Sequence, residues 1–171
     1  MPADSPIKIE SYILGTWKIS ETLNDEAIFK IGEFTNTEIT EFTELEYDVF
    51  EMKIQGTLNY DPCGSFHHKT YLHISIINEE SDVQLRYYIR DNGKWTYCKA
   101  HNEISESHTE FDVLCLDEET EEVSRECPEI LEEFNSEVKN ECCLIESVNA
   151  DEITLTHKKT GLKMRLTKTN D

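Results

Sequence analysis

Residues 85–90 read Leu-Arg-Tyr-Tyr-Ile-Arg, and residues 111–116 read Phe-Asp-Val-Leu-Cys-Leu. In the first stretch Leu85, Tyr87 and Ile89 share one face while Arg86, Tyr88 and Arg90 share the other; in the second, Phe111, Val113 and Cys115 oppose Asp112, Leu114 and Leu116. A period of two marks a strand, because successive side chains leave a pleated backbone on opposite sides. Both faces carry some apolar character, as happens when a sheet closes around a partly polar interior. The expectation is an all-β protein.

Outward from these two segments the chain keeps the same texture. From Tyr12 to about Leu116, short runs rich in Ile, Val, Thr, Tyr and Phe alternate with polar turn clusters. The pattern predicts strands near 12–20, 26–34, 46–54, 68–77, 83–90, 94–100 and 109–116, with Asn92-Gly93 as a tight hairpin. The period then changes. Ile130 or Leu131, Phe134 and Val138 fall on one helical stripe, Pro128 suits a first helical position, and Glu129, Glu132 and Glu133 suit the positive end of the dipole. This predicts a helix over about 127–141. Short strands return at Leu144–Val148, Glu152–Thr156 and Leu162–Thr167, the last two joined through Lys159-Thr160-Gly161. The lysines of this tail fit the blunting of an exposed edge strand. Residues 1–171 thus read as a single domain: an eight-stranded antiparallel barrel, one late α-helix packed on its outside, and extra C-terminal strands at about 144–167.

The 171 residues carry 16 basic and 36 acidic side chains, a net charge of −20. Such a surface repels phosphate backbones and anionic headgroups, so no nucleic acid and no membrane is expected as a partner, whereas a basic protein is electrostatically allowed. No apolar run approaches the roughly 18 residues of a membrane helix. Met1–Glu10 lacks the basic start and apolar stretch of a signal peptide, so the chain reads as cytosolic or as a mature secreted form. The six cysteines, Cys63, Cys98, Cys115, Cys127, Cys142 and Cys143, form no CxxC pair. Their even number favours three disulfides and an oxidising compartment; spacing alone does not choose among the connectivities.

Little in the chain suggests catalysis. His67, His68 and His73 lie close in sequence, but His67 and His73 on one strand stand about 20 Å apart at the usual rise, too far to share an ion. The glycines sit singly, so no phosphate-cradling loop occurs. No cofactor, metal or enzymatic activity is expected. The remaining possibility is a pocket in the mouth of the barrel. The residues expected to line it are Phe29, Ile31, Phe50, Met52, Leu72, Ile74, Leu85, Tyr87, Phe111 and Val113.

At Gly15-Thr16-Trp17 the sequence resembles the lipocalin and fatty-acid-binding group, whose members carry Gly-x-Trp on the first strand of a closed barrel. Within that group it is most similar to the tick salivary lipocalins of the histamine-binding family. The likeness rests on Phe34-Thr35-Asn36, Arg86-Tyr87-Tyr88, Asp91-Asn92-Gly93, Cys98, Glu110-Phe111, and Cys127 with Phe134-Asn135. The resemblance implies structural roles for Gly15 and Trp17, and disulfides joining Cys98 to Cys127 and Cys63 to Cys142 or Cys143, with Cys115 taking the other. It also implies a secreted protein that sequesters a small hydrophobic host mediator and so modulates host immunity or inflammation. Where amine binders of the family carry an acidic residue and an aromatic, this chain reads Cys98-Lys99-Ala100 and Glu110-Phe111-Asp112. That departure points from histamine or serotonin toward a fatty acid, sterol or eicosanoid. The competing readings are an acidic scaffold for a basic host protein such as a cytokine or chemokine, a biogenic-amine binder, and an intracellular fatty-acid-binding-like carrier with free thiols.

Overall fold

The computed structural model describes residues 7–24, 49–126, 140–158 and 161–169. A short helix, α1 (Ile7–Ile13), leads into β1 (Gly15–Asn24); β2 (Val49–Tyr60), β3 (Ser65–Ile77), β4 (Asp82–Cys98) and β5 (Glu103–Cys115) follow. After α2 (Glu118–Glu126) come β6 (Asn140–Val148), β7 (Glu152–His157) and β8 (Lys163–Lys168). Each strand pairs antiparallel with the next, and β8 returns to β1 through Trp17↔Lys168 and Ile19↔Leu166. The sheet is therefore a closed barrel of eight strands. Among the described residues no helix is long and apolar enough to cross a membrane.

Closure corrects two expectations from the tail. The strands at 144–167 are not additions, because β6, β7 and β8 complete the barrel. Nor do the lysines guard an edge, since a closed sheet has none. Lys158 instead donates to Glu103 at 2.6 Å, Arg165 to Glu152 at 2.6 Å, and Lys168 Nζ stands 4.5 Å from the centre of the Trp17 ring.

Tyr12 and Ile13, predicted as strand, end α1 instead, and β1 begins only at Gly15. Gly15 has φ 115°, a conformation that L side chains rarely adopt. The turn it makes sets Trp17 into the core at 0% exposure, where its Nε1 donates to Ile13 O at 2.8 Å. The strand predicted at 26–34 lies outside the described residues.

The predicted hairpin at Asn92-Gly93 does not exist: β4 runs unbroken from Asp82 to Cys98. Gly93 lacks the positive φ that a two-residue turn demands. Its small size serves close packing instead, for a Cβ there would lie 2.1 Å from Ser107 O and 2.8 Å from the Phe66 ring. The irregularity is a bulge against β5. Pairing passes from Asn92↔Glu110 to Gly93↔His108, so Thr109 is the extra residue, and its hydroxyl donates to Asn92 O at 3.1 Å. An extra residue inverts which side chains face inward. Ile104, Glu106 and His108 turn to the interior before it; Phe111, Val113 and Cys115 share that face after it.

A late helix packs on the outside of the barrel, as expected, and among the described residues it lies just after β5. α2 spans Glu118–Glu126, capped by Asp117, whose Oδ1 accepts from Thr120 N at 2.8 Å, and Glu118, Glu119 and Glu121 complement its positive end. Its Thr120 and Ser124 are buried against the barrel, where Thr120 Oγ1 accepts from Arg86 N and Ser124 Oγ meets Tyr87 OH at 2.8 Å. Most of the predicted helix, 127–139, lies outside the described residues. Asn140 and Glu141, predicted as its end, open β6, because Glu141 pairs with Glu106 in the ladder.

The expected disulfides are absent among the described residues: Cys63, Cys98, Cys115, Cys142 and Cys143 are free. Register explains it. Cys142 and Cys143 pair with Ser105 and Ile104, near one end of β5, while Cys115 ends that strand beside Tyr87. At a rise of about 3.3 Å per residue the two places are roughly 30 Å apart, far beyond the ~7 Å Cα limit of a disulfide. Cys63, in the turn before β3, is three strand spacings from β6, and Cys127 lies outside the described residues.

Candidate functional site

Inside the barrel the apolar residues separate into two clusters. One gathers Trp17, Phe66, Trp95, Ile104 and Leu166 around Ile13; the other gathers Leu72, Ile74, Ile76, Leu85 and Tyr87. Polar side chains lie between them on three successive strands. His68 separates Phe66 from Leu72 along β3, Asp91 separates Tyr87 from Trp95 along β4, and Glu106 and His108 separate Ile104 from Val113 along β5. The interior is thus layered: apolar, polar, apolar.

The polar layer is tightly drawn. Tyr60 OH donates to Glu106 Oε1 at 2.5 Å, and His68 Nε2 lies 3.4 Å from the same oxygen. His108 Nδ1 stands 2.5 Å from Asp91 Oδ2, while its Nε2 is 3.8 Å from Glu106 Oε2 and 3.8 Å from Glu141 Oε2. Phe66 wedges between the imidazoles, its centroid 4.5 Å from His68 and 5.1 Å from His108. Yet His68 Nε2, Asp91 Oδ1 and both nitrogens of His108 are buried without a hydrogen bond of acceptable geometry. Native proteins pair nearly all such atoms, and each buried orphan costs about 1–3 kcal/mol.

Burial governs the protonation of this layer. It pushes Glu106 up to about 8, with Glu141 and Asp91 adding repulsion and the Tyr60 hydrogen bond and His108 opposing. It pushes His68 down to about 3, assisted by His108 and His67. His108 is raised, because Asp91 and the neighbouring glutamates outweigh its own desolvation. Asp91 is raised by burial despite His108, and the Tyr60 hydroxyl is raised by burial and by Glu106. At neutral pH the layer thus holds a protonated Glu106, a neutral His68 and an Asp91–His108 pair.

Of the residues expected to line a pocket, Leu72, Ile74, Leu85 and Tyr87 meet in the second cluster, with Met52 and Val113 packed against them. Phe111 is half-buried opposite Asp91. Phe29 and Ile31 lie outside the described residues, as does the side chain of Phe50. Of the three histidines near one another in sequence, only His68 enters the layer. His67 is exposed and contacts Asn92, and His73 bonds Gln84. Sequence reasoning missed Tyr60, Asp91, Glu106, His108 and Glu141.

A closed eight-stranded antiparallel barrel with a polar layer inside an apolar lining has an architecture compatible with the lipocalin-like binding proteins. No protein-family model matches this chain, and no curated protein matches it.

Proposed function

We propose that the protein is a non-catalytic, lipocalin-like binder of a small amphipathic molecule. The observation that carries the reading is the buried polar layer with orphaned atoms, set against an apolar wall in a closed barrel. The guest's apolar body lies over Leu72, Ile74, Leu85 and Tyr87, and its polar end completes the bonding of His68, Asp91, Glu106 or His108. Asp91 and Glu141 oppose a carboxylate head and welcome a donor. An amine or a hydroxyl therefore suits the layer better than a free fatty acid, and a cation there draws Glu106 back to its carboxylate.

Calorimetric titration with serotonin, cholesterol and palmitate tests this. Serotonin or cholesterol binds with a Kd of about micromolar or tighter, and palmitate binds at least about tenfold more weakly, a gap of roughly 1.4 kcal/mol. Tighter binding of palmitate, or saturation by none of the three, contradicts the reading.

Action outside the cell on a host mediator, as the resemblance to tick salivary lipocalins implies, belongs to this proposal. The five free thiols favour a second reading, a carrier working in a reducing compartment. Thiol titration of the denatured, freshly isolated protein separates the two. Five or more reactive thiols per chain support the reducing compartment; none supports secretion.

A further inference from the structure

We propose that Glu106, His108 and Glu141 form a binding site for a divalent transition-metal ion such as Zn²⁺. One ligand atom from each lies within 4.8 Å of the others. The proposal goes beyond the small-molecule reading and stands whether or not the apolar wall takes a guest.

Three features argue for an ion rather than a chance gathering of acids. The first is His108 itself. Its side chain is only 4% exposed, and its Nε2 has no hydrogen-bond partner while facing carboxylate oxygens of Glu106 and Glu141 at 3.8 Å each. A buried imidazole nitrogen directed between two carboxylates lacks only the cation that would bind all three. The second feature is support behind the ligands. Asp91 stands against the far nitrogen of His108, as carboxylates do in carboxylate–histidine–metal arrangements, and Tyr60 OH holds the far oxygen of Glu106. These contacts orient His108 Nε2 and Glu106 Oε2 toward the gap, and an ion bound there displaces the proton that Glu106 holds at neutral pH.

The third feature is fit. Bonds of about 2.0–2.2 Å in a tetrahedral site set ligand atoms roughly 3.3–3.6 Å apart. The two 3.8 Å spacings from His108 exceed this by less than about 1 Å, and the third, within 4.8 Å, closes by a shift of the partly exposed Glu141 side chain of up to about 1.5 Å. One imidazole and two carboxylates suit a borderline ion better than Ca²⁺, which prefers an all-oxygen shell. Three protein ligands leave a fourth position for water or another group. Glu141, 35% exposed, provides the approach from solvent.

The test is calorimetric titration of ZnCl₂ into the full chain after EDTA treatment and desalting. The expected result is one saturable site with a Kd of about micromolar or tighter, and visible d–d absorption when CoCl₂ replaces zinc. Glu141→Gln and His108→Ala each weaken binding by more than about tenfold, and Asp91→Asn by about 10–100-fold. Glu141 is partly exposed, so Glu141→Gln keeps the test alive if His108→Ala does not fold. His67→Ala, on the outer surface, leaves affinity unchanged. Absence of saturable binding overturns the proposal. So does zinc affinity that survives Glu141→Gln and His108→Ala or that is lost with His67.

Discussion

Replacing Trp17 by alanine is expected to remove about 3–5 kcal/mol of stability, the usual cost of deleting a large buried aromatic side chain. Trp17 is 0% exposed, packs with Ile13 and Leu166, donates through Nε1 to Ile13 O, and lies beneath Lys168 Nζ. It thereby joins α1, β1 and β8 at the seam where the barrel closes. A domain of this size has roughly 5–15 kcal/mol in hand, so the variant is expected to be marginal. Urea denaturation followed by circular dichroism measures the effect. A loss below about 1 kcal/mol would mean that the seam does not depend on the indole.

The second large effect is on the pH dependence of stability. Glu106 is raised by burial to about 8, so its protonated form is preferred on folding; that stability is complete below the unfolded value of 4.5 and is lost as pH rises through 8. His68, lowered to about 3, contributes stability above its unfolded value of 6.5, lost as pH falls toward 3. Between about pH 4.5 and 6.5 these two slopes oppose and cancel. Above 6.5 only the Glu106 slope persists, and the raised His108 acts in the same direction. Metal-free protein in EDTA is therefore expected to lose about 2 kcal/mol between pH 6.5 and 8, an effect of 1.36 kcal/mol per pH unit. Glu106→Gln, which carries no ionisable group, is expected to flatten that fall. Stability that rises over the same interval, or an unchanged slope in Glu106→Gln, contradicts the assigned protonation.

The fold was legible where the period of two was clean. Leu85, Tyr87, Phe111 and Val113 fall on one face in the sequence, and register places them on one face of the barrel. Two local signals misled for physical reasons. Asn92-Gly93 has turn composition, but its glycine answers a close approach by Phe66 and Ser107, a contact between strands that no local pattern records. The helix reading started at Pro128, and the signal for α2 that it passed over is Asp117 as a capping residue with Glu118, Glu119 and Glu121 behind it.

The polar layer was harder to see. Alternation run backward from Phe111 puts His108 and Glu106 on the outside, and only the bulge at Thr109 brings them in. Glu141 joins them through the ladder between β5 and β6, which brings together residues 35 positions apart in the chain. His68 was the readable member, since it shares the parity of Leu72 and Ile74. A histidine on the apolar face of a strand that also buries leucine and isoleucine points inward.

That the interior receives a guest is tested most directly by methyl-labelled nuclear magnetic resonance during titration with serotonin or cholesterol, whichever binds. The account predicts saturable shifts at the methyls of Leu72, Ile74 and Leu85, while Leu114 and Leu116, 56% and 48% exposed, stay still. Shifts confined to Leu114 and Leu116, or an interior that no probe perturbs, contradict it.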